Sequence, residues 1–348
     1  MPPTPPTSDY QIQFLANLQR LLAEGLFVAT YKFALLISLA DLAVEKGDDF
    51  GGPMQIGTED IAEKFVRYYW RQAVPYVTPG HAAVLQQNAG LQAKVVRVLE
   101  AARGHYGDSL PKILKDQSAK RSLIREIDPV VRVMPLWKLQ TVGDDVLEFL
   151  YANTGTGKSI ELKPGVAFCL RKFYALVTDL VRGAWLRYVR QKNLGILGET
   201  TDLSEFLFGS ERIALAAARP VLMDIQRGQC FYCGSGLSKG GVEVDHFIPW
   251  SRYGTDLGHN FVLADRACNN QKRDRIAAVE HLAAWTERNT RHGDQIQVAL
   301  ERQGIVSQRE ASNRVAFWAY VLVAAGEGAT LAGQWGPGRQ CSMAVSGA

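Results

Sequence analysis

The stretch from Cys230 to Ile276 constrains the fold of this chain more than any other part of its sequence. Within it, VEVDHFI alternates apolar and polar residues as a half-buried strand does, and NFVLA is a second short strand. The segment that follows, CNNQKRDRIAAVEHL, begins a pattern with helical spacing. The order of strand, strand and helix predicts a compact ββα unit.

Two adjacent polar residues of the first strand, Asp245 and His246, carry groups suited to phosphodiester hydrolysis. Neighbouring side chains of a strand project to opposite sides, so one can hold a metal ion while the other faces water. An imidazole, with an ordinary pKa of about 6.5, can take a proton from water at working pH. Asp245 is a hard oxygen ligand for Mg²⁺ or Mn²⁺, and Asn269 in the first turn of the helix adds an amide oxygen. We therefore expect His246 to act as the base beside a metal ion.

This stretch resembles the HNH family of ββα-metal (His-Me finger) nucleases. The match is carried by Asp245-His246, by Asn260 within HNFVLA, and by Asn269 within CNNQK, followed by Lys272 and Asp274. The resemblance implies that His246 is the general base and that Asn260 pins the loop between the strands. Asp245 and Asn269 would then bind one catalytic metal ion. Several elements agree in order and spacing over about a seventh of the chain, so the motif is specific. The resemblance implies a DNA endonuclease, and outside the motif the basic segment and FLFG that precede it look like the lead-in of some bacterial HNH restriction or phage-defence proteins.

The cysteines predict a second metal site. Five is an odd number, and Cys230, Cys233 and Cys268 lie in one short region, which indicates metal binding in a reducing compartment rather than disulfides. Many HNH proteins hold structural zinc with this arrangement, and the fourth ligand would stand three residues before Cys268. That residue is Asp265, where relatives usually carry Cys or His, although a carboxylate is an acceptable zinc ligand. His259 is an alternative ligand. The interpretation without a metal ion is three reduced cysteines in a small core.

The rest of the chain has helical spacing, so we expect a mainly α fold with an embedded ββα-metal (HNH) unit and a multi-helix N-terminal region. Thr58 is predicted to cap the helix that contains EDIAEKF, and the segment GVAFCLRKFYALVTDLVRGAWLRYVRQ to form one long basic helix. The predicted divisions are a flexible tail (1–8), a helical domain of a kind that binds DNA (9–110), a helical linker domain (111–226), the HNH nuclease domain (227–289), C-terminal helices (290–325) and a flexible tail (326–348).

The distribution of charge favours a nucleic-acid partner more than the total does. The formal net charge is only +4, but residues 171–192 carry six basic side chains against one acidic, interleaved with aromatic ones. We expect the DNA contacts to include Arg182, Arg187 and Arg190, with Lys272 in the nuclease unit. A solvated helix face would have the same composition, so that interpretation stays open.

Other compartments and partners are less well supported. The apolar run from Leu26 to Val44 is interrupted by Lys32 and Asp41, so no membrane span is expected, and the N-terminus MPPTPPTS lacks the pattern of a secretory signal. These features predict a cytoplasmic protein without a membrane partner. The oligomeric state is open, and a dimer is one option.

The segment ANTGTGKS, residues 152–159, satisfies a permissive phosphate-binding loop pattern. Such a loop needs a helix after it, and Pro164 would break that helix, so we expect no nucleotide cofactor. Two alternative functions remain from other classes. One is a zinc-stapled DNA-binding protein without catalysis, and the other a nucleotide-driven phosphate-loop protein.

Overall fold

A computed structural model of the chain describes residues 4–78, 80–153, 157–197, 203–209, 212–237 and 241–324. It divides into two compact units, Met1–Gly209 and Ser210–Ala348. The protein is mainly helical, which confirms the predicted fold class, and its described sheets are short antiparallel strand pairs. The C-terminal tail predicted for 326–348 lies outside the described residues.

The first unit contains a bundle of helices with three strand pairs. Its helices are α1 (Ser8–Glu24), α2 (Tyr31–Lys46), α3 (Thr58–Trp70), α4 (Lys94–Tyr106), α5 (Leu110–Lys115), α6 (Gln117–Val133), α7 (Pro135–Lys138), α8 (Val166–Lys172), α9 (Tyr174–Lys192) and α10 (Leu203–Phe208). Its strands are β1 (Met54–Gly57), β2 (Pro75–Thr78), β3 (His81–Val84), β4 (Thr141–Val142), β5 (Asp145–Val146) and β6 (Ser159–Leu162). β1 pairs with β6, β2 with β3, and β4 with β5.

Helix α2 forms the centre of this unit, because every residue from Lys32 to Glu45 is buried. Helices α3, α8 and α9 pack around it. Its buried charges are compensated, since Asp41 accepts hydrogen bonds from Tyr68 and Tyr174, and Lys64 pairs with Glu45 at 2.8 Å. The apolar run near the N-terminus is thus core sequence. No helix among the described residues combines the length and apolarity that a membrane span requires.

Helices α3 and α6, which lie on either side of residue 110, pack against each other. Two local expectations for the first unit differ from the structure. The N-cap of α3 is Gly57, and Thr58 is already helical, with its backbone N–H donating to the Lys158 carbonyl oxygen at 2.9 Å. The predicted long basic helix is two helices, α8 and α9, separated at Phe173, where the backbone leaves helical geometry.

The ANTGTGKS segment leads into a strand. Residues 154–156 lie outside the described part, but Ser159 begins β6 and stands opposite Gly57 of β1. A phosphate-binding loop works by presenting phosphate to the N-terminus of the helix that follows it. Because a strand follows here, the phosphate-loop alternative is contradicted.

The second unit encloses the predicted ββα unit between longer helices. Its elements are α11 (Arg212–Ile225), β7 (Val242–His246), a short 3-10 turn (Gly258–Asn260), β8 (Phe261–Asp265), α12 (Arg266–Lys272), α13 (Val279–Arg302) and α14 (Arg309–Ala324). β7 and β8 are antiparallel, with Val242 opposite Asp265 and His246 opposite Phe261. Leu222 of α11 and Ile296 and Leu300 of α13 bury the apolar side chains of the strand pair. The helices therefore supply the core that a short strand pair alone lacks.

Candidate active site

The end of β7 places two polar side chains among different neighbours. His246 is buried opposite Phe261 of β8, and the centroids of the two rings are 5.1 Å apart. The ring centroid of Trp250 lies 5.5 Å from that of His246. Asp245 is half-buried and contacts groups of α12 and of the turn before β7. The strand therefore separates the two side chains, as its alternation predicts.

The imidazole of His246 has a carboxylate partner. Its Nε2 lies 2.7 Å from Oδ1 of Asp256, in the loop that follows β7. A carboxylate only accepts hydrogen bonds, so Nε2 carries the proton and Nδ1 of the neutral ring keeps a lone pair. Within the part of the chain that the structure describes, Nδ1 has no hydrogen-bond partner. The geometry thus leaves one nitrogen of His246 able to accept a proton.

One oxygen of Asp245 is held by two donors. Oδ2 accepts from the Tyr232 hydroxyl at 2.5 Å and from Lys272 Nζ at 2.9 Å. Lys272 Nζ also donates to the backbone carbonyl oxygen of His246 at 2.8 Å. No described group bonds to the other oxygen, Oδ1. The carboxylate is therefore fixed in place by one oxygen and keeps the second for a ligand.

Lys272 was expected to contact DNA, and the structure corrects this expectation. The side chain has no exposed surface, and its burial lowers the pKa of Lys272 against the opposing effect of the Asp245 carboxylate. A fully buried ammonium cannot reach a phosphate group. Lys272 instead ties α12 to the end of β7.

Asn269 is oriented by a residue that the sequence reasoning missed. Its Nδ2 donates to Oε2 of Glu243 at 2.6 Å, and Glu243 also pairs with Arg266 at 3.1 Å. Because the amide nitrogen faces a carboxylate, the amide oxygen is left to act as a ligand. Asp245 and Asn269 thus each offer one oxygen without a protein partner among the described residues. Hard oxygen donors of this kind are the ligands that Mg²⁺ and Mn²⁺ prefer.

Asn260 binds the backbone of the loop that follows β7. Its Oδ1 accepts from the Ile248 backbone N–H at 2.8 Å, and its Nδ2 donates to the Ile248 carbonyl at 2.9 Å. The Asn260 carbonyl also accepts from Phe247 N–H at 2.8 Å. Gly258 in the same turn lies against α13, where an added Cβ would stand 2.7 Å from Leu300 Cδ1.

The imidazole of His259, the alternative zinc ligand, forms hydrogen bonds outside the cysteine region. It is fully buried, its Nδ1 lies 2.8 Å from Ser307 Oγ, and its Nε2 lies 3.0 Å from the Gly293 carbonyl oxygen. Burial lowers the pKa of His259 to about 4 because it disfavours the charged ring. His259 therefore anchors the 3-10 turn to α13 and to the segment before α14, and it is not the fourth ligand.

The four residues predicted to bind zinc come together. The ligand atoms of Cys230, Cys233, Asp265 and Cys268 all lie within 4.8 Å of one another, so this group could hold a metal ion. Cys233 Sγ is 3.2 Å from Asp265 Oδ2, and the Asp265 N–H donates to Cys230 Sγ at 3.4 Å. The carboxylate of Asp265 is directed at the thiols, so the cluster is not a plain apolar core of three cysteines.

The electrostatics of this cluster depend on its burial and its hydrogen bonds. Burial raises the pKa of the Cys230 thiol to about 11. Burial alone would also raise the pKa of Asp265, but hydrogen bonds from the Cys268 backbone N–H and from the thiols lower it to about 2. Thiol and carboxylate ligands suit a zinc ion. We name these four residues the thiol cluster.

The first unit presents some of its predicted DNA contacts to solvent. Arg187 and Arg190 of α9 are exposed. Arg182 is half-buried, with its guanidinium 5.7 Å from the ring centroid of Phe208. Two of the three arginines are therefore available to a ligand at the surface.

The comparisons with known proteins concern the second unit. Residues 230–278 match the family model of the HNH endonuclease, which confirms the resemblance for this segment. The matched residues contain both the thiol cluster and the site around His246. No curated protein matches the chain.

Proposed function

We propose that this protein is a metal-dependent HNH endonuclease that hydrolyses DNA phosphodiester bonds. The observation that carries the proposal is the arrangement at the end of β7 and the start of α12, where, among the described residues, no group bonds to Nδ1 of His246 or to one oxygen each of Asp245 and Asn269. It lies in a segment that matches the HNH family model.

In the proposed reaction, Nδ1 of His246 takes a proton from the attacking water, and the resulting imidazolium is stabilised by Asp256. Asp245 and Asn269 would hold Mg²⁺ or Mn²⁺, which when bound supplies charge stabilisation to the phosphate and the departing oxygen. Tyr232 and Lys272 keep the Asp245 carboxylate in one orientation, and Asn260 keeps the loop beside it closed.

We further propose that the thiol cluster binds a structural zinc ion, since thiolates are soft ligands and its atoms converge from the turn before β7 and from the start of α12. DNA affinity would come in large part from exposed arginines of α9. Cytoplasmic action in restriction or phage defence belongs to the same hypothesis.

A second candidate is a zinc-stapled DNA-binding protein without catalysis. It is favoured by the ammonium of Lys272, which lies 2.9 Å from the carboxylate that would bind the metal ion and so opposes a cation there. This candidate predicts DNA binding without cleavage in Mg²⁺ or Mn²⁺.

The test is cleavage of supercoiled plasmid by the full chain with Mg²⁺ or Mn²⁺. His246→Ala should lower the cleavage rate by about 10² to 10⁴, while DNA affinity stays close to that of the wild type. His292→Ala is the matched control, because His292 lies on α13 and its imidazole pairs with the exposed side chain of Gln295. Wild-type binding without cleavage would select the second candidate, and cleavage by His246→Ala at the wild-type rate would remove His246 from the mechanism.

A further inference from the structure

The loop between β7 and the 3-10 turn brings Asp256 to the candidate base. Oδ1 of Asp256 lies 2.7 Å from Nε2 of His246, and the two side chains are only 20% and 11% exposed. This shielding makes the contact less screened than one between surface charges. Asp256 was not indicated by the strand and helix patterns of the sequence.

The position of Asp256 is set by the fold around it. Its neighbour Leu257 and the earlier loop residue Tyr253 are each 1% exposed. Gly258 donates its backbone N–H to the Val306 carbonyl oxygen at 2.9 Å, which anchors the chain directly after Asp256. The start of the loop is anchored as well, since Asn260 binds both backbone groups of Ile248. A loop fixed at both ends holds the carboxylate in one place.

We propose that Asp256 is a positioning residue for His246. Its carboxylate keeps the proton on Nε2 and fixes the orientation of the ring, so that Nδ1 stays free to accept a proton from water. This inference rests on the proposed function, because it assigns the role of Asp256 in that reaction. Asn260 would support this role indirectly, since it closes the loop that carries Asp256.

Two readouts in the full chain test the proposal. The first is the ¹⁵N spectrum of histidine-labelled protein without DNA, where protonated and unprotonated ring nitrogens resonate far apart. The chain has six histidines, and the signal of His246 is assigned with His246→Ala. In its neutral form the His246 ring of the wild type should show a proton on Nε2 and a bare Nδ1. In Asp256→Ala this fixed pattern should give way to a mixture of both tautomers.

The second readout is the kinetics of plasmid cleavage. Asp256→Ala should lower kcat by about 10- to 100-fold with little change in KM, the size of effect known for carboxylates that orient metal-binding histidines, because Asp256 orients His246 in the same manner. Asp256→Asn has nearly the same shape, so it should keep the fold while losing the charge, and its kcat should fall as well. Asp224→Asn is the matched control, since Asp224 is an exposed aspartate on α11 of the same unit. It should match the wild type in both readouts.

The outcomes separate this inference from the function on which it rests. If the wild type cleaves DNA while Asp256→Ala and Asp256→Asn keep both the spectrum and kcat, the positioning role is wrong and the nuclease stands. If the wild type shows the fixed tautomer, loses it in Asp256→Ala and yet does not cleave DNA, the contact stands and the proposed nuclease activity is wrong.

Discussion

The thiol cluster and the site around Asp245 lie in the same matched segment but are built in opposite ways. In the thiol cluster, ligand atoms from four residues converge within 4.8 Å, and their contacts are mostly with one another. At the second site, Asp245 and Asn269 are each held by separate neighbours, Lys272 and Glu243 among them, and each keeps a single oxygen.

This difference has a physical consequence for metal binding. Converging soft ligands can satisfy a zinc ion completely, so that metal binding and folding become one process. Two hard oxygens supply only a small part of the shell that Mg²⁺ requires, so the ion depends on water and phosphate for the rest. We therefore expect one metal ion that stays with the protein and one that comes with the substrate.

The largest expected effect comes from separating the two sites by substitution. Asp245→Asn keeps an acceptor for buried Lys272 but removes the charge of the metal ligand, so cleavage should fall by at least about 10² while zinc stays bound. Asparagine is a better choice than alanine here, because alanine would leave the Lys272 ammonium buried without its partner. Metal analysis and plasmid cleavage on the same preparation check this.

The corresponding substitution in the thiol cluster is Cys233→Ala. Cys233 is exposed, so its removal opens no cavity, and apart from the single contact with Asp265 the expected loss of stability comes through the metal ion. Zinc should be lost and the second unit should unfold at a lower urea concentration than in the wild type. Loss of zinc from Asp245→Asn would show that the two sites are not independent, and zinc retained by Cys233→Ala would show that Cys233 is not an essential ligand of the thiol cluster.

Asp265 gives a smaller and sharper test of the thiol cluster, because the residue has two roles. Its Oδ1 accepts from the Cys268 backbone N–H at 2.8 Å and so caps α12, while its other oxygen faces Cys233. Asp265→Asn preserves the cap and weakens the metal ligand, whereas Asp265→Ala removes both and should cost about 1 kcal/mol more. Competition with a chromogenic chelator measures zinc retention, and urea unfolding measures the cap. If Asp265→Asn retained zinc as tightly as the wild type, the three cysteines alone would be the protein ligands of the zinc ion.

The smallest effect concerns affinity rather than chemistry. Replacing Arg187 and Arg190 by glutamine should weaken DNA binding several-fold, and the slope of log affinity against log salt should become shallower by about 0.9 for each phosphate group that is no longer neutralised. Arg20→Gln in α1 is the control, since Arg20 pairs with Glu24. An unchanged salt slope in the double variant would show that the exposed face of α9 contacts solvent and not DNA.

Much of the second unit could be predicted because its pattern is local. The alternation in VEVDHFI determined which residues share a face, and the three-residue spacings from Cys230 to Cys233 and from Asp265 to Cys268 each lie within one turn of the chain. These relations span few residues, and their geometry is repetitive.

What the sequence left out depends on packing. Asp256 reaches His246 through a loop without regular structure, and Lys272 is buried only because α12 turns it towards β7. Phe173 separates α8 from α9 at a point where the apolar spacing continues without interruption. The periodicity of apolar residues encodes neither the geometry of a loop nor the direction of a helix relative to its neighbours, so these features need the three-dimensional structure.

The central claim, one retained and one exchangeable metal ion, is tested most directly on the wild-type chain. The purified protein is dialysed against a mild chelator under reducing conditions, and zinc content and plasmid cleavage are measured on the same sample before and after addition of Mg²⁺. We predict one zinc ion per chain throughout, with cleavage lost after dialysis and restored by Mg²⁺ alone. Absence of zinc before chelation, or cleavage that returns only when zinc is added, would contradict this account.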